Sequence, residues 1–117
     1  IEILDLGCNT EESVDYPNCG KACGEAVMRG DAERGIVICG TGIGISIAAN
    51  KVKGIRCALC TSLFMAEMSR KHNNANVLAL GGRILETELA LGIVDVWLAT
   101  EFEGGRHQRR VDLLDCM

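Results

Sequence analysis

Short apolar runs alternate with stretches of helical periodicity along the chain. Residues 35–39 form a continuous apolar run rich in β-branched side chains, and residues 55–60 and 77–80 repeat the type. Runs of this kind are typical of parallel strands that are covered on both faces. Helical spacing of apolar residues lies between and after them, at about 43–52, 62–71 and 87–99. The alternation predicts an α/β fold with a parallel sheet and right-handed crossovers.

Two more elements are predicted before the first continuous run. Residues 1–6 alternate apolar and acidic side chains, which indicates a strand with one face less buried than the other. Asp15, Tyr16 and Pro17 are typical of a helix start with proline in the first turn, and Gly30 would end that helix. We therefore expect one domain over residues 1–117, a Rossmann-like three-layer αβα sandwich with about four strands and a C-terminal helix.

The predicted helix at residues 43–52 is apolar almost all the way round. Its apolar positions are Ile43, Ile45, Ile47, Ala48, Ala49 and Val52. A helix of this kind must be covered on every side, whereas a small domain with one sheet covers only one of them. We therefore expect a subunit interface here and at least a homodimer.

Composition narrows the class of protein. The 117 residues carry a formal net charge of −4 without a dense basic block, which argues against a nucleic-acid partner. No apolar stretch is long enough to span a membrane and no leader opens the chain, so we expect a cytoplasmic protein with no membrane partner. The odd number of cysteines, seven, favours reduced thiols over a disulfide framework.

A glycine-rich turn joins the first buried strand to the helix that follows, with the sequence Cys39-Gly40-Thr41-Gly42-Ile43-Gly44. Ligands of α/β sheets bind at such strand ends, where a helix N-terminus offers N–H groups to negative charge. The dinucleotide fingerprint fails at its last glycine and no Walker lysine follows, which leaves an anion-binding nest. Cys39 is either a thiolate activated by the helix end or a small apolar residue that ends the strand.

Other candidate residues lie later in the chain. His72 precedes the polar loop before the last strand, so it is either a loop histidine or a residue that serves a neighbouring subunit's site. Arg106 and Arg110 share one face if their segment is helical, and they either hold a phosphate or form a solvated basic face. Since no Cys/His quartet has zinc-like spacing, we predict no metal site.

Three separated motifs closely resemble the type B ribose-5-phosphate isomerases, a family that includes isomerases of allose 6-phosphate and galactose 6-phosphate. The motifs are Ile38-Cys39-Gly40-Thr41-Gly42-Ile43-Gly44-Ile45-Ser46-Ile47-Ala48-Ala49-Asn50-Lys51, Arg70-Lys71-His72-Asn73-Asn74-Ala75-Asn76-Val77-Leu78 and Glu101-Phe102-Glu103-Gly104-Gly105-Arg106-His107. They occur in the family's order, and the likeness covers nearly all of the chain.

The resemblance implies an aldose–ketose isomerase that interconverts ribose 5-phosphate and ribulose 5-phosphate in the non-oxidative pentose phosphate pathway, without metal or organic cofactor. It implies that Cys39 is the base that moves a proton between C2 and C1, and that His72 assists ring opening. The remaining implied substrate contacts are an anion hole from Thr41, Gly40, Gly42 and Gly44, sugar contacts from Tyr16 and Asn73, and phosphate ligands from Arg106 and Arg110.

The resemblance also implies a dimer or a dimer of dimers whose active sites are shared between subunits. Family members have five strands, and a strand, an Asp-His loop and a helix precede the point where this sequence starts, so we expect an N-terminally incomplete domain. Two other functions stay open. One is a hexose-phosphate isomerase of the same family, and the other is a non-catalytic subunit that binds sugar phosphates or serves assembly.

Overall fold

Helices and strands alternate along the part of the chain that the structure, a computed structural model, describes: residues 1–7 and 15–117. This part contains five helices and three strands. They are α1 (Tyr16–Met28), β1 (Gly35–Cys39), α2 (Ile43–Asn50), β2 (Cys57–Leu59), α3 (Leu63–Lys71), β3 (Val77–Gly81), α4 (Thr87–Ala99) and α5 (Arg106–Asp115). Cys8 lies outside the described residues.

The three strands form one parallel sheet in the order β1-β3-β2. Gly35 pairs with Val77 and Cys39 pairs with Gly81, so β1 and β3 begin and end level with each other. All five residues of β3 are buried, as expected of a central strand. The predicted α/β fold with a parallel sheet and a C-terminal helix is confirmed.

Helices cover both faces of the sheet because side chains of β3 alternate between the two faces. Val77 and Ala79 pack in one core with residues of α1 and α2. Leu78 and Leu80 pack in a second core with residues of α3 and α4, where Trp97 is fully buried. The result is three layers, and the carboxyl ends of β1 and β3 meet at one edge of the sheet.

Local sequence signals set several element ends. Asp15 precedes α1, and Gly30 follows it with a φ of +84°, a left-handed conformation that glycine adopts without strain. Ser62 caps α3, since its hydroxyl oxygen accepts a hydrogen bond from the Met65 N–H at 3.1 Å. The start after Asp15 and the end before Gly30 match the prediction.

The structure corrects the expected number of strands. Residues 1–6 form no strand, and the described chain has three strands rather than about four. A strand needs a partner for its backbone groups, and this segment pairs with none of the described strands while its apolar side chains stay exposed. β2 is also shorter than residues 55–60, and the Arg56 N–H just before it donates to the side-chain oxygen of Asn76 at 2.7 Å rather than to a neighbouring strand.

Helix α2 buries one face against the sheet and leaves the other uncovered. Ile45 and Ala49 are buried, whereas Ile43 and Ile47 are 53% and 56% exposed. These two residues lie one turn apart and form an apolar stripe. A single chain therefore leaves one side of α2 uncovered, although the sequence predicts a helix that is covered on every side.

Within the described residues, no helix combines the length and the apolar character needed to cross a membrane.

Candidate active site

The glycine-rich turn after β1 forms a nest at the carboxyl edge of the sheet. Gly42 is the residue before α2 and has a φ of +80°. A methyl group at its Cα would lie 2.8 Å from the carbonyl carbon of Leu80, so only glycine fits against β3. This close approach presses the turn against the end of β3 and directs the N-terminus of α2 toward the same edge.

Cys39 ends β1 beside this nest. Its carbonyl oxygen accepts a hydrogen bond from the Gly82 N–H at 2.8 Å, which fixes the backbone of the strand end. The residue is half-buried, packs against the core under α1 and α2, and carries a free thiol. It is therefore not sealed among apolar side chains, and its position is the one predicted from the sequence.

Thr41 and Tyr16 complete the wall of the nest. The Thr41 hydroxyl oxygen accepts a hydrogen bond from the Ile43 N–H at 3.2 Å and so fixes the first turn of α2. A methyl group built on Gly44 would overlap the ring of Tyr16, which shows that the ring lies directly against this glycine. Tyr16 is 45% exposed and comes from the first turn of α1. The structure thus brings these predicted residues together.

Arg83 also lies at the nest, although the sequence reasoning did not single it out. Its N–H donates to the Gly40 carbonyl oxygen at 3.0 Å. A methyl group on Gly40 would lie 3.7 Å from the Arg83 Nε, so the guanidinium group covers the glycine backbone. The sequence did contain a signal for it, because Arg83 is a positively charged residue that follows two glycines at the end of a buried central strand. Arg83 places a positive charge where an anion would bind.

A second cluster surrounds His72, at the C-terminal end of α3. Its ring stacks on that of His107, with 4.2 Å between ring centroids and 13° between the planes. One oxygen of Glu103, Oε1, lies 3.7 Å from the Nε2 of His72 and 3.6 Å from the Nε2 of His107. Burial lowers the pKa of His107, and the positive charges of the neighbouring His72 and Arg106 lower it further.

The predicted phosphate residues belong to the same cluster. Arg106 and Arg110 both lie on α5, four residues apart and exposed, so the predicted shared face is confirmed. Asn73 follows His72 and is exposed, while its backbone carbonyl oxygen accepts a hydrogen bond from the Arg56 Nε at 3.1 Å. This arrangement presents two guanidinium groups and an amide to solvent near the two histidines.

The two clusters lie at opposite ends of the sheet within one chain. The nest adjoins Cys39 and Gly81, at the carboxyl ends of β1 and β3, whereas His72 precedes the amino end of β3. These ends are about 13 Å apart, because each residue of a strand rises about 3.3 Å. A single described chain therefore does not bring His72 to Cys39.

Potential metal ligands converge at one place among residues 1–7 and 15–117. The ligand atoms of His72, Glu103 and His107 all lie within 4.8 Å of one another. The prediction of no metal site considered cysteine and histidine spacing alone and did not anticipate that the fold would unite these three residues.

Comparison with known proteins identifies the family. Residues 1–114 match the Ribose/Galactose Isomerase family. The chain belongs to this family. It is 49% identical over 114 residues to ribose-5-phosphate isomerase B of Escherichia coli strain K12, a match that covers 97% of this chain and 76% of the relative. The family resemblance predicted from the sequence motifs is thereby confirmed.

Solved structures of family members have the same fold. Ribose-5-phosphate isomerase B of Clostridium thermocellum superimposes with a TM-score of 0.96 at 60% identity, over 97% of this chain and 77% of that one. A ribose 5-phosphate isomerase of Thermotoga maritima superimposes with a TM-score of 0.97 at 50% identity, over 100% of this chain and 81% of that one. The nest and the histidine cluster thus belong to a fold shared with these isomerases.

Proposed function

We propose that the chain is an aldose–ketose isomerase that interconverts ribose 5-phosphate and ribulose 5-phosphate through an enediolate. The observation that carries this proposal is the half-buried Cys39 thiol beside the N-terminus of α2, in a member of the Ribose/Galactose Isomerase family. The similarity to ribose-5-phosphate isomerase B of Escherichia coli supports the choice of a pentose phosphate.

In the proposed mechanism, the Cys39 thiolate removes the proton from C2 of the open-chain aldose. The electron pair of the C2–H bond forms a double bond between C1 and C2, and the carbonyl oxygen at C1 becomes negative. The proton of the C2 hydroxyl then passes to the negative oxygen on C1. As the C2 oxygen forms its carbonyl bond, the electrons of the C1–C2 double bond take the proton back from the Cys39 thiol at C1, which gives the ketose and restores the thiolate. The proton moves between adjacent carbons, so the reaction needs no external oxidant, reductant or organic cofactor.

The nest stabilises the negative oxygen of the enediolate. The first N–H groups of a helix lack partners within the helix, and those of α2 begin beside Cys39. Donors fixed before the reaction stabilise charge where it develops, and loss of one such donor typically costs about 2.7–4 kcal/mol of barrier. Thr41, Gly40, Gly42 and Gly44 serve this purpose in the proposal, and Arg83 adds a positive charge.

The second cluster handles the rest of the substrate. His72 exchanges a proton with the ring oxygen when the cyclic sugar opens, a role that suits a half-exposed imidazole. Arg106 and Arg110 hold the phosphate through charge-assisted hydrogen bonds. Asn73 contacts the sugar from this side, and Tyr16 contacts it from the side of the nest.

A homodimer would join the two clusters into one site, and we propose that the active sites are shared in this way. Each chain keeps its nest and its His72 cluster about 13 Å apart or more. The uncovered stripe of Ile43 and Ile47 continues directly from the nest along α2, so a partner that covers it would lie against the nest. Two-fold symmetry then gives two equal sites, each with a nest from one protomer and a His72 from its partner.

The same proposal places residues 1–117 in a sugar-phosphate isomerase domain that acts in the non-oxidative pentose phosphate pathway of the cytoplasm. Six cysteines within the described ranges carry free thiols, which suits a reducing compartment.

Replacement of the proposed base tests this function in the full chain. Cys39→Ala should lower turnover of ribose 5-phosphate at least about a hundredfold, since general-base catalysis typically contributes that much or more. The matched control is Cys116→Ala, which removes an exposed thiol at the end of α5 and should leave turnover unchanged. Wild-type turnover in the Cys39→Ala variant would exclude Cys39 as the base.

The substrate is tested by comparing wild-type turnover on ribose 5-phosphate and on allose 6-phosphate. A higher kcat/KM for ribose 5-phosphate is expected. A clear preference for the hexose phosphate would overturn the choice of substrate, and binding of both sugars without turnover would overturn the enzymatic function.

A further inference from the structure

The only two histidines in the sequence meet in the folded chain, although they come from different helices. Their rings stack, and a single carboxylate oxygen of Glu103 faces the Nε2 atom of each. We propose that His72, Glu103 and His107 form a binding site for a divalent transition-metal ion, with Zn²⁺ as its ion.

The distances fit a shared cation better than hydrogen bonds. At 3.7 and 3.6 Å, the two contacts between nitrogen and oxygen are too long for hydrogen bonds. A tetrahedral zinc ion with bonds of about 2.0–2.1 Å holds neighbouring ligand atoms about 3.4 Å apart. A metal ion lies in the plane of each imidazole that binds it, so two stacked rings cannot both reach one ion. Binding therefore requires the half-exposed His72 ring to turn out of its stack on His107.

The backbone around the three ligands is already ordered by hydrogen bonds. The His72 N–H donates to the Met68 carbonyl oxygen at 2.9 Å, and the Glu103 N–H donates to the Lys71 carbonyl oxygen at 3.1 Å. The second bond ties the segment that carries Glu103 to the end of α3, beside His72. The backbone that carries the ligands is therefore ordered before the ion arrives, which lowers the entropy cost of binding, and the rearrangement is confined to side chains.

The donor set indicates which metals would bind. Two imidazoles and one carboxylate suit zinc and its neighbours in the transition series, whereas magnesium and calcium prefer oxygen ligands alone. Three protein ligands leave a fourth zinc position for water. The carboxylate of Glu103 also supplies negative charge that offsets Arg106 and Arg110, both of which act on His107.

Metal binding would have a functional consequence. An ion bound to the Nε2 of His72 occupies the lone pair with which this atom would accept a proton from the substrate. The ion should therefore inhibit isomerisation reversibly. This consequence rests on the proposed role of His72 in ring opening. Binding of the ion itself does not, because it depends only on the three ligands.

The test is a titration of the full chain with Co²⁺, followed by visible absorption, and with Zn²⁺, followed by calorimetry. The wild type should bind one Co²⁺ with weak d–d bands of nitrogen and oxygen ligation. Glu103→Gln should weaken Co²⁺ binding at least about tenfold. Loss of a group that merely hydrogen-bonds a metal ligand already costs about that much, and Glu103 is proposed as a ligand itself. Glu101→Gln, which changes an exposed carboxylate two residues away, is the matched control and should bind normally.

His107→Gln is the second variant and should weaken binding to the same degree. Three results would overturn the metal site: no binding, wild-type affinity in both ligand variants, or the intense sulfur-to-metal charge-transfer band of cysteine ligation. Activity provides a separate readout, since Zn²⁺ should inhibit the wild type until a chelator is added. Binding without inhibition would uphold the metal site and contradict the role proposed for His72.

Discussion

Two arginines at the start of α5 illustrate how much function depends on single side chains. Arg106 and Arg110 are exposed, face the same side of the helix and form no salt bridge with any described carboxylate. Arg109 lies between them in sequence; it is adjacent to Arg110 and points away from it, but it lies three residues after Arg106 and borders that side chain. The pair is therefore positioned to bind one anionic group together.

Replacing both arginines should weaken substrate binding. Arg106→Gln with Arg110→Gln should raise the KM for ribose 5-phosphate at least about tenfold, since a hydrogen bond to a charged group is worth about 1.5–3 kcal/mol. The arginines should bind the phosphate equally strongly in the ground state and in the transition state. Their loss should therefore leave kcat largely unchanged. Steady-state kinetics measure both constants.

Lys21→Gln with Lys53→Gln is the control for this experiment, because it also removes two positive charges, from exposed positions outside the His72 cluster. Its KM should stay close to that of the wild type. An equal rise of KM in the control would attribute the effect to general electrostatics rather than to phosphate contacts.

Residues that form a site within one short segment could be predicted from the sequence, whereas residues united by the fold could not. The anion nest beside Cys39 was predicted because a strand, a glycine turn and a helix follow one another directly, and the family resemblance added Thr41 to it. Arg83 was missed because it reaches the nest from the end of another strand. Glu103 was missed as a partner of His72 because their contact depends on how α3 meets the segment before α5.

At the scale of elements, the turn between β1 and α2 depends on one glycine conformation and on close packing. Gly30 and Gly42 have nearly equal φ angles, +84° and +80°. A methyl group on Gly30 would meet nothing within 4 Å, whereas one on Gly42 would approach the backbone of Leu80 and Gly81. The two positions therefore separate backbone strain from steric overlap.

Gly42→Ala should destabilise the protein more than Gly30→Ala. Gly30→Ala should cost about 1–2 kcal/mol of unfolding free energy from left-handed strain alone. Gly42→Ala should cost about 1–3 kcal/mol more, the usual range for overpacking. Urea denaturation measures both values. Equal losses would show that β3 does not press on the turn as described.

Element boundaries were predicted well where a local signal sets them, as at Asp15 and Gly30. The strand expected at residues 1–6 was wrong for a physical reason. Alternating apolar residues favour a strand, but a strand forms only against a partner, and the pairing partner is not encoded in the segment itself. Caps act within a few residues, whereas strand pairing depends on distant ones.

At the scale of the whole molecule, the sheet separates two halves of a proposed active site. The nest lies at its carboxyl edge, and His72 lies beyond the amino end of β3. The apolar character of residues 43–52 predicted an interface from the sequence, and the exposure of Ile43 and Ile47 is what that prediction requires. The geometry of the assembly could not be predicted, because the apolar pattern indicates that a face is covered but does not identify the surface that covers it.

Shared sites predict complementation between inactive variants. When Cys39→Ala and His72→Asn chains are co-expressed with different tags, the isolated heterodimer should have one intact site out of two. Its turnover should be about half that of the wild type, since the two sites of a symmetric dimer are equivalent.

The control heterodimer pairs His72→Asn with Arg106→Gln, two changes in the same cluster. In that case both sites carry one defect, and activity should stay as low as that of the variants. A Cys39→Ala and His72→Asn heterodimer without recovered turnover would contradict sharing of the site between protomers.

The central claim, that the Cys39 thiolate transfers a proton beside the anion nest, is tested most directly by turnover of ribose 5-phosphate in D₂O. We expect the ribulose 5-phosphate that the wild type forms to carry solvent deuterium at C1 by NMR, and Cys39→Ala to form neither product nor label at a comparable rate. Incomplete labelling would show that part of the abstracted proton returns to C1 before it exchanges with solvent, which the account allows. Unchanged turnover and labelling in Cys39→Ala would assign the proton transfer to another group and contradict the account.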